Sequence, residues 1–132
     1  TCISYFKGMT KKIIFSPDAP AAIGPYSQAV EVNGTIYVSG QIALSVFESG
    51  ASIEEETDQV MKNLGHILNA AGCTYDNVVK CSIFVKDMNN FAKINQVYGA
   101  YFPENPPARE TVEVARLPKD VRVEISCIAY KS

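Results

Sequence analysis

Arg109 and Glu124 are the two residues whose types and settings best suit small-molecule chemistry. Arg109 follows Pro106-Pro107-Ala108, and Glu124 lies between Val123 and Ile125 on the less apolar side of the final strand-like run. A guanidinium fork binds a carboxylate through two parallel hydrogen bonds, and a half-buried glutamate takes or delivers a proton through water. Lining one cleft, the pair would hold a carboxylate-bearing substrate beside an activated water. The same residue types also make structural ion pairs, and their spacing does not decide between the two readings.

Other chemistry finds less footing. Glu54, Glu55 and Glu56 resemble a carboxylate site, but acids in a first helical turn complement the helix dipole. His66, the single histidine, falls off its segment's apolar stripe and is expected to face solvent. Cys2, Cys73, Cys81 and Cys127 lack CxxC spacing, so reduced thiols in a reducing compartment are the better reading, with no metal site and no cofactor expected. P-loop, GxGxxG, HExxH and GxSxG patterns are absent.

The elements that must position Arg109 and Glu124 follow from periodicity. Ile13 to Phe15 reads as an edge strand, and Ala29 to Val32 with Thr35 to Ser39 reads as a hairpin about Asn33-Gly34, a pair suited to positive φ. Ile53, Val60, Leu64, Ile67, Leu68 and Ala71 share one helical face; Ser52 and Glu55 have capping-box spacing, and Gly72 ends the helix. Val78 to Val85 reads as a strand. Asp87 caps a second helix carrying Phe91, Ile94, Val97, Tyr98 and Tyr101, and Pro103 ends it. Strands are predicted over Thr111 to Ala115 and Val121 to Tyr130, the latter alternating an apolar face with Arg122, Glu124 and Ser126. The order β-ββ-α-β-α-ββ predicts an α+β two-layer sandwich, a mixed sheet with two helices on one face. Phe84, Val112, Val114 and Ile128 put apolar groups on the other face, so a second chain is expected to cover it.

The 132 residues suffice for one domain, assigned to 13–132, with 1–12 as an N-terminal extension in which Met9 reads as an internal start. With 47% hydrophobic and 20% charged residues, the chain is not a disordered one. A net charge of -2 and the lack of a basic stripe argue against a nucleic-acid partner, and no run is long and apolar enough to cross a bilayer. A cytoplasmic location is expected, the mitochondrial matrix being the other option.

Five stretches resemble the signature blocks of the RidA (YjgF) family: Ala22-Ile23-Gly24-Pro25-Tyr26-Ser27-Gln28-Ala29, Tyr37-Val38-Ser39-Gly40-Gln41-Ile42, Pro107-Ala108-Arg109, Val112 to Pro118, and Val123-Glu124-Ile125. The resemblance implies a chorismate-mutase-like α+β fold, a homotrimer with a central β-barrel, and active sites between subunits. It implies a 2-iminobutanoate/2-iminopropanoate deaminase, which turns the imines and enamines released by pyridoxal-phosphate-dependent dehydratases into 2-oxo acids and ammonia. Position by position, Arg109 matches the carboxylate-binding arginine and Glu124 the acid that positions water. Tyr26, Ser39, Gly40 and Asn95 match pocket residues, while core packing, a bulge or backbone bridging remain the plainer roles for Tyr26, Gly40 and Asn95. Thr111 stands where many relatives carry cysteine, so no thiol chemistry transfers there, and Leu44 to Ser52 lacks the family's Asp-Pro turn. Two other classes compete: a single-strand ribonuclease or translation inhibitor, and a non-catalytic carboxylate-binding or chaperone-like protein.

Overall fold

Asn33 (φ 50°) and Gly34 (φ 83°) both adopt left-handed backbone, and the tight turn they make joins strand β2 (Ala29–Val32) to β3 (Thr35–Gln41). This hairpin begins a six-stranded sheet in a computed structural model that describes residues 10–132. β1 (Lys12–Ile14) pairs with β2, so the sheet takes in Lys12, one residue inside the expected extension. The expectations for residues 1–9, Cys2 and Met9 among them, lie outside the described residues.

Sheet order is β1-β2-β3-β6-β4-β5. The last strand, β6 (Val123–Tyr130), lies between β3 and β4 (Val78–Val85) and runs antiparallel to both. Its alternation is the sequence pattern made physical: Val123, Ile125, Cys127 and Ala129 are buried, and Glu124, Ser126 and Ile128 point the other way. β5 (Ala108–Glu113) is the one parallel partner, paired with β4 at the sheet edge. It begins three residues before the predicted Thr111, because pairing starts at Lys80 with Ala108; Arg109 therefore lies inside the strand. Beyond it, only the Val114 N–H still reaches the Val85 carbonyl (2.9 Å), so the predicted end at Ala115 overshoots. β6 likewise starts at Val123 rather than Val121, since Val121 closes a turn over Pro118–Asp120.

Leu44–Glu48, expected as loop, forms a short helix, α1. Helix α2 (Ile53–Ala70) opens with the anticipated capping box, Ser52 accepting from the Glu55 N–H. Asp87 caps a 3-10 turn, Met88–Asn90, by accepting from Asn89, and α3 (Phe91–Ala100) follows. α2 and α3 pack together on the face carrying Cys81, Ile83, Val85, Val123 and Ile125, giving the predicted α+β sandwich. The opposite face is uncovered in the single chain: Tyr37 and Val112 are exposed there, and Phe84 and Ile128 half-buried. Cys73, Cys81 and Cys127 are buried free thiols, and His66 is partly covered rather than fully in solvent.

Glu56 does more than complement a dipole. Fully buried, it accepts from Arg122 Nε (2.7 Å) and from the Arg122 backbone N–H (3.0 Å). Arg122 Nη2 donates to the Ala51 carbonyl (2.6 Å), and its guanidinium lies 5.5 Å from the Phe47 ring centroid. One ion pair thus fixes α1, the start of α2 and the start of β6, two residues before Glu124. Removing the carboxylate strands the guanidinium and an N–H, so Glu56→Ala is expected to cost about 3 kcal/mol, read from the urea midpoint. A shift under about 1 kcal/mol would mean that water replaces the pair.

Candidate functional site

Two residues of β3, Ser39 and Gly40, stand opposite Ser126 alone: Val38 pairs with Cys127 and Gln41 with Ile125. This bulge bends the strand and brings Gly40 against Glu124 of β6. A Cβ on Gly40 would lie 2.8 Å from Glu124 Cδ, so the glycine is what lets the carboxylate rest against the strand, and a larger residue must move it aside. Ser39 is held by its hydroxyl donating to the Ser27 carbonyl (2.6 Å) and by its N–H donating to the Gln28 carbonyl (2.9 Å). Tyr26 folds back in a local turn, its hydroxyl accepting from the Ile23 N–H (3.3 Å). Tyr26, Ser39, Gly40 and Glu124, with Ile23, Ile42 and Pro118, line one open hollow of about 390 Å³.

Burial raises the Glu124 carboxyl above the ordinary carboxylate range, and no cation offsets it. Among the described residues it has no ion-pair partner. A carboxylate so held is a better base than a solvated one. Gly40→Ala is expected to push the carboxylate outward, so that its titration, followed by carboxyl carbon NMR, falls back towards the ordinary range. An unmoved titration would show that Gly40 does not set the environment of Glu124.

Arg109 lies elsewhere. It pairs with Cys81 of β4, which pairs with Cys127 of β6, and so points to the helix side. Glu124 is three residues from Cys127 and points to the opposite side. At about 3.3 Å per residue and 4.8 Å per strand, their Cα atoms are roughly 14 Å apart. The two therefore do not meet within a single chain, and a cleft between subunits, as expected from the family resemblance, is the arrangement left to them. Register parity decides this, and neither residue's immediate neighbours reveal it.

Around Arg109 the chain builds a second constellation. Its Nη1 donates to Asn95 Oδ1 (2.7 Å), and the guanidinium sits 5.6 Å from the Phe91 ring centroid and 5.1 Å from that of Tyr98. Aromatic faces and an amide oxygen orient the fork without neutralising it. Arg116 pairs with Asp120 and Arg122 with Glu56, but Arg109 has no carboxylate partner among the described residues. Thr111 shares its strand face, with a buried hydroxyl oxygen that has no hydrogen-bond partner among the described residues. Phe91, Asn95 and Tyr98 recur at i, i+4 and i+7, a spacing that reads as core. What sets this stripe apart in the sequence is the polar Asn95 within it, which reaches Arg109.

Of the expected site residues, Tyr26, Ser39, Gly40 and Glu124 come together at the bulge, and Asn95, Arg109 and Thr111 at the β5 edge. Ile23, Ile42, Pro118, Phe91 and Tyr98 were missed as lining. Among the described residues no cluster of three or more histidine, cysteine, aspartate or glutamate side chains is placed to hold a metal, and no helix is long and apolar enough to cross a membrane.

A family model described as Endoribonuclease L-PSP matches residues 16–131. A RutC family protein of Synechocystis is 52% identical over 92% of this chain and 97% of its own. The mouse protein named 2-iminobutanoate/2-iminopropanoate deaminase is 50% identical over 92% of each chain. The crystal structure of Escherichia coli TdcF with bound serine superposes with a TM-score of 0.84 at 39% identity, covering 92% of this chain and 99% of that one.

Proposed function

Because the chain belongs to the RidA (YjgF) family, also described as Endoribonuclease L-PSP, we propose that it hydrolyses 2-imino acids at a cleft assembled from two copies of itself. Mammalian relatives at 45–50% identity are named 2-iminobutanoate/2-iminopropanoate deaminases, which supports this reaction class here. The observation that carries the reading is the pairing of opposites: among the described residues, Arg109 has no carboxylate partner and Glu124 no cation. Each lacks what the other could help supply to one bound molecule.

In the cleft, Arg109 takes the substrate carboxylate in its fork, with Asn95, Phe91 and Tyr98 fixing its angle. Glu124 of the partner subunit accepts a proton from water as the oxygen attacks C2 of the imine. That proton passes to nitrogen to complete the neutral carbinolamine, which collapses when the carboxylate carries the hydroxyl proton to nitrogen, the C=O forming as the C–N bond breaks, leaving a 2-oxo acid and ammonia. Water is consumed and no electrons are exchanged. The C=N carbon is already electrophilic, so positioning and one proton relay supply the rate. Tyr26, Ser39 and Gly40 shape the wall beside the reacting atoms, and Thr111 offers its unpaired hydroxyl near the carboxylate. Three copies closing in a ring would cover the open sheet face.

The direct test generates 2-aminoacrylate in the presence of semicarbazide and follows pyruvate. The protein is expected to speed pyruvate release and lower semicarbazone yield, and Glu124→Gln to lose this. An unchanged yield with the folded wild type would sink the reading. Stability should move the other way. A carboxyl raised on folding favours the folded state fully below its unfolded value, about 4.3, and loses that contribution as pH climbs through the folded value. Glu124→Gln is therefore expected to melt above wild type at neutral pH, the gap closing below about pH 4.

A further inference from the structure

Beside the Glu124 hollow lies a second one of about 300 Å³, between the segment 20–23, α1 and α2. The two share Ile23, Tyr26, Gly40 and Ile42 as lining, so they adjoin. We infer that this second hollow receives the side chain of the substrate and selects 2-imino acids with long, uncharged side chains. The inference rests on the proposed reaction, since it takes the reacting carbon to sit at Glu124.

Size is the first argument. At about 30 Å³ per liquid water the hollow holds roughly ten waters' volume, more than a methyl or ethyl group needs. Lining chemistry is the second. Pro20, Ala22, Ile23, Ile42 and Leu44 make the walls apolar, rewarding each added methylene.

The polar lining is fixed by its own hydrogen bonds. The Ile42 carbonyl can only accept, so Asn63 presents Nδ2 to it (3.1 Å) and Oδ1 to Gln59, whose Nε2 donates (2.9 Å). Gln41 Nε2 donates to the Ser39 carbonyl (3.1 Å). Among the described residues no lysine, arginine or histidine lines the hollow, and Glu48 places a carboxylate at its edge. A neutral chain is compatible with such a lining, whereas a terminal carboxylate meets no counter-charge there and a like charge at Glu48. α1 is the wall that closes the hollow, and the stacking of Phe47 on Arg122 holds it in place.

Calorimetric titration of the assembled protein with pyruvate, 2-oxobutanoate, 2-oxopentanoate, 2-oxohexanoate and 2-oxoglutarate tests this, because product binding needs no turnover. Each methylene is expected to tighten Kd about three- to fourfold, the factor that about 0.8 kcal/mol per buried CH2 gives. 2-Oxoglutarate should bind at least tenfold more weakly than 2-oxohexanoate. Ser45→Trp, at an exposed position on the rim, should abolish the length gain and leave pyruvate within about threefold. A wild-type Kd independent of length, or a gain that Ser45→Trp retains, overturns the inference. A length gain without any hydrolysis of 2-iminobutanoate would instead overturn the proposed reaction and leave the compartment standing.

Discussion

Arg109→Ala is expected to lower kcat/KM for 2-iminobutanoate about a thousandfold while the variant keeps the wild-type circular dichroism and oligomer mass. Truncating one partner of a hydrogen-bonded charge pair costs about 2–5 kcal/mol, and about 4 kcal/mol is three decades of rate. The loss should be mostly function because this guanidinium joins β5 to α3 alone and neutralises no buried carboxylate. Its protein contacts are the Asn95 oxygen and two aromatic faces of α3. Arg122, by contrast, holds three segments together. Arg109→Lys keeps the charge and loses the fork and the stacking, so an intermediate loss, tens of fold, is expected. Steady-state kinetics on all three proteins reads the series. Equal kcat/KM in wild type and Arg109→Ala would remove the carboxylate grip from the mechanism.

Two dead variants should make a live protein when mixed. If Arg109 of one chain serves Glu124 of the next, Arg109→Ala and Glu124→Gln are each inactive alone, because every cleft then lacks one group. Coexpressed in equal amounts and assembled at random, about a quarter of the clefts pair an intact arginine with an intact glutamate, so about a quarter of wild-type turnover should return. A site built within one chain gives no rescue under any mixing ratio. That outcome would contradict the two-chain cleft, and with it the roughly 14 Å separation across opposite sheet faces that motivates it.

Much of this arrangement was legible in the sequence, and what escaped it escaped for definable reasons. The alternation of Val123 to Ala129 announced a strand with one face under helices, because side-chain period alone fixes that. The apolar stripe of α2 and its Ser52–Glu55 box announced a capped helix in the same way. α1 was invisible, since five residues span little more than one turn and cannot repeat an apolar face, and a cation–π contact from the distant Arg122 holds it. The start of β5 was misjudged because a parallel edge strand answers to its partner's register and not to its own pattern. Resemblance named seven site residues. Local sequence could not tell that they fall into two groups on opposite faces, because that depends on counting residues across three paired strands. The buried role of Glu56 was hidden too: its partner is 66 positions away.

The extra residue at Ser39–Gly40 has a further meaning for anyone who would engineer this chain. It lets Val38 and Gln41, three apart, both turn inward, which an unbroken strand forbids. Deleting Gly40 would restore strict alternation, with Val38 inward, Ser39 outward and Gln41 inward again, and would straighten the ladder against β6. The outcome is a tidier sheet with a serine side chain where the Glu124 carboxylate now rests. Regularity and competence are alternatives at this point in the chain, one codon apart, so selecting variants for yield or heat tolerance alone would reward exactly the molecules that have lost the groove.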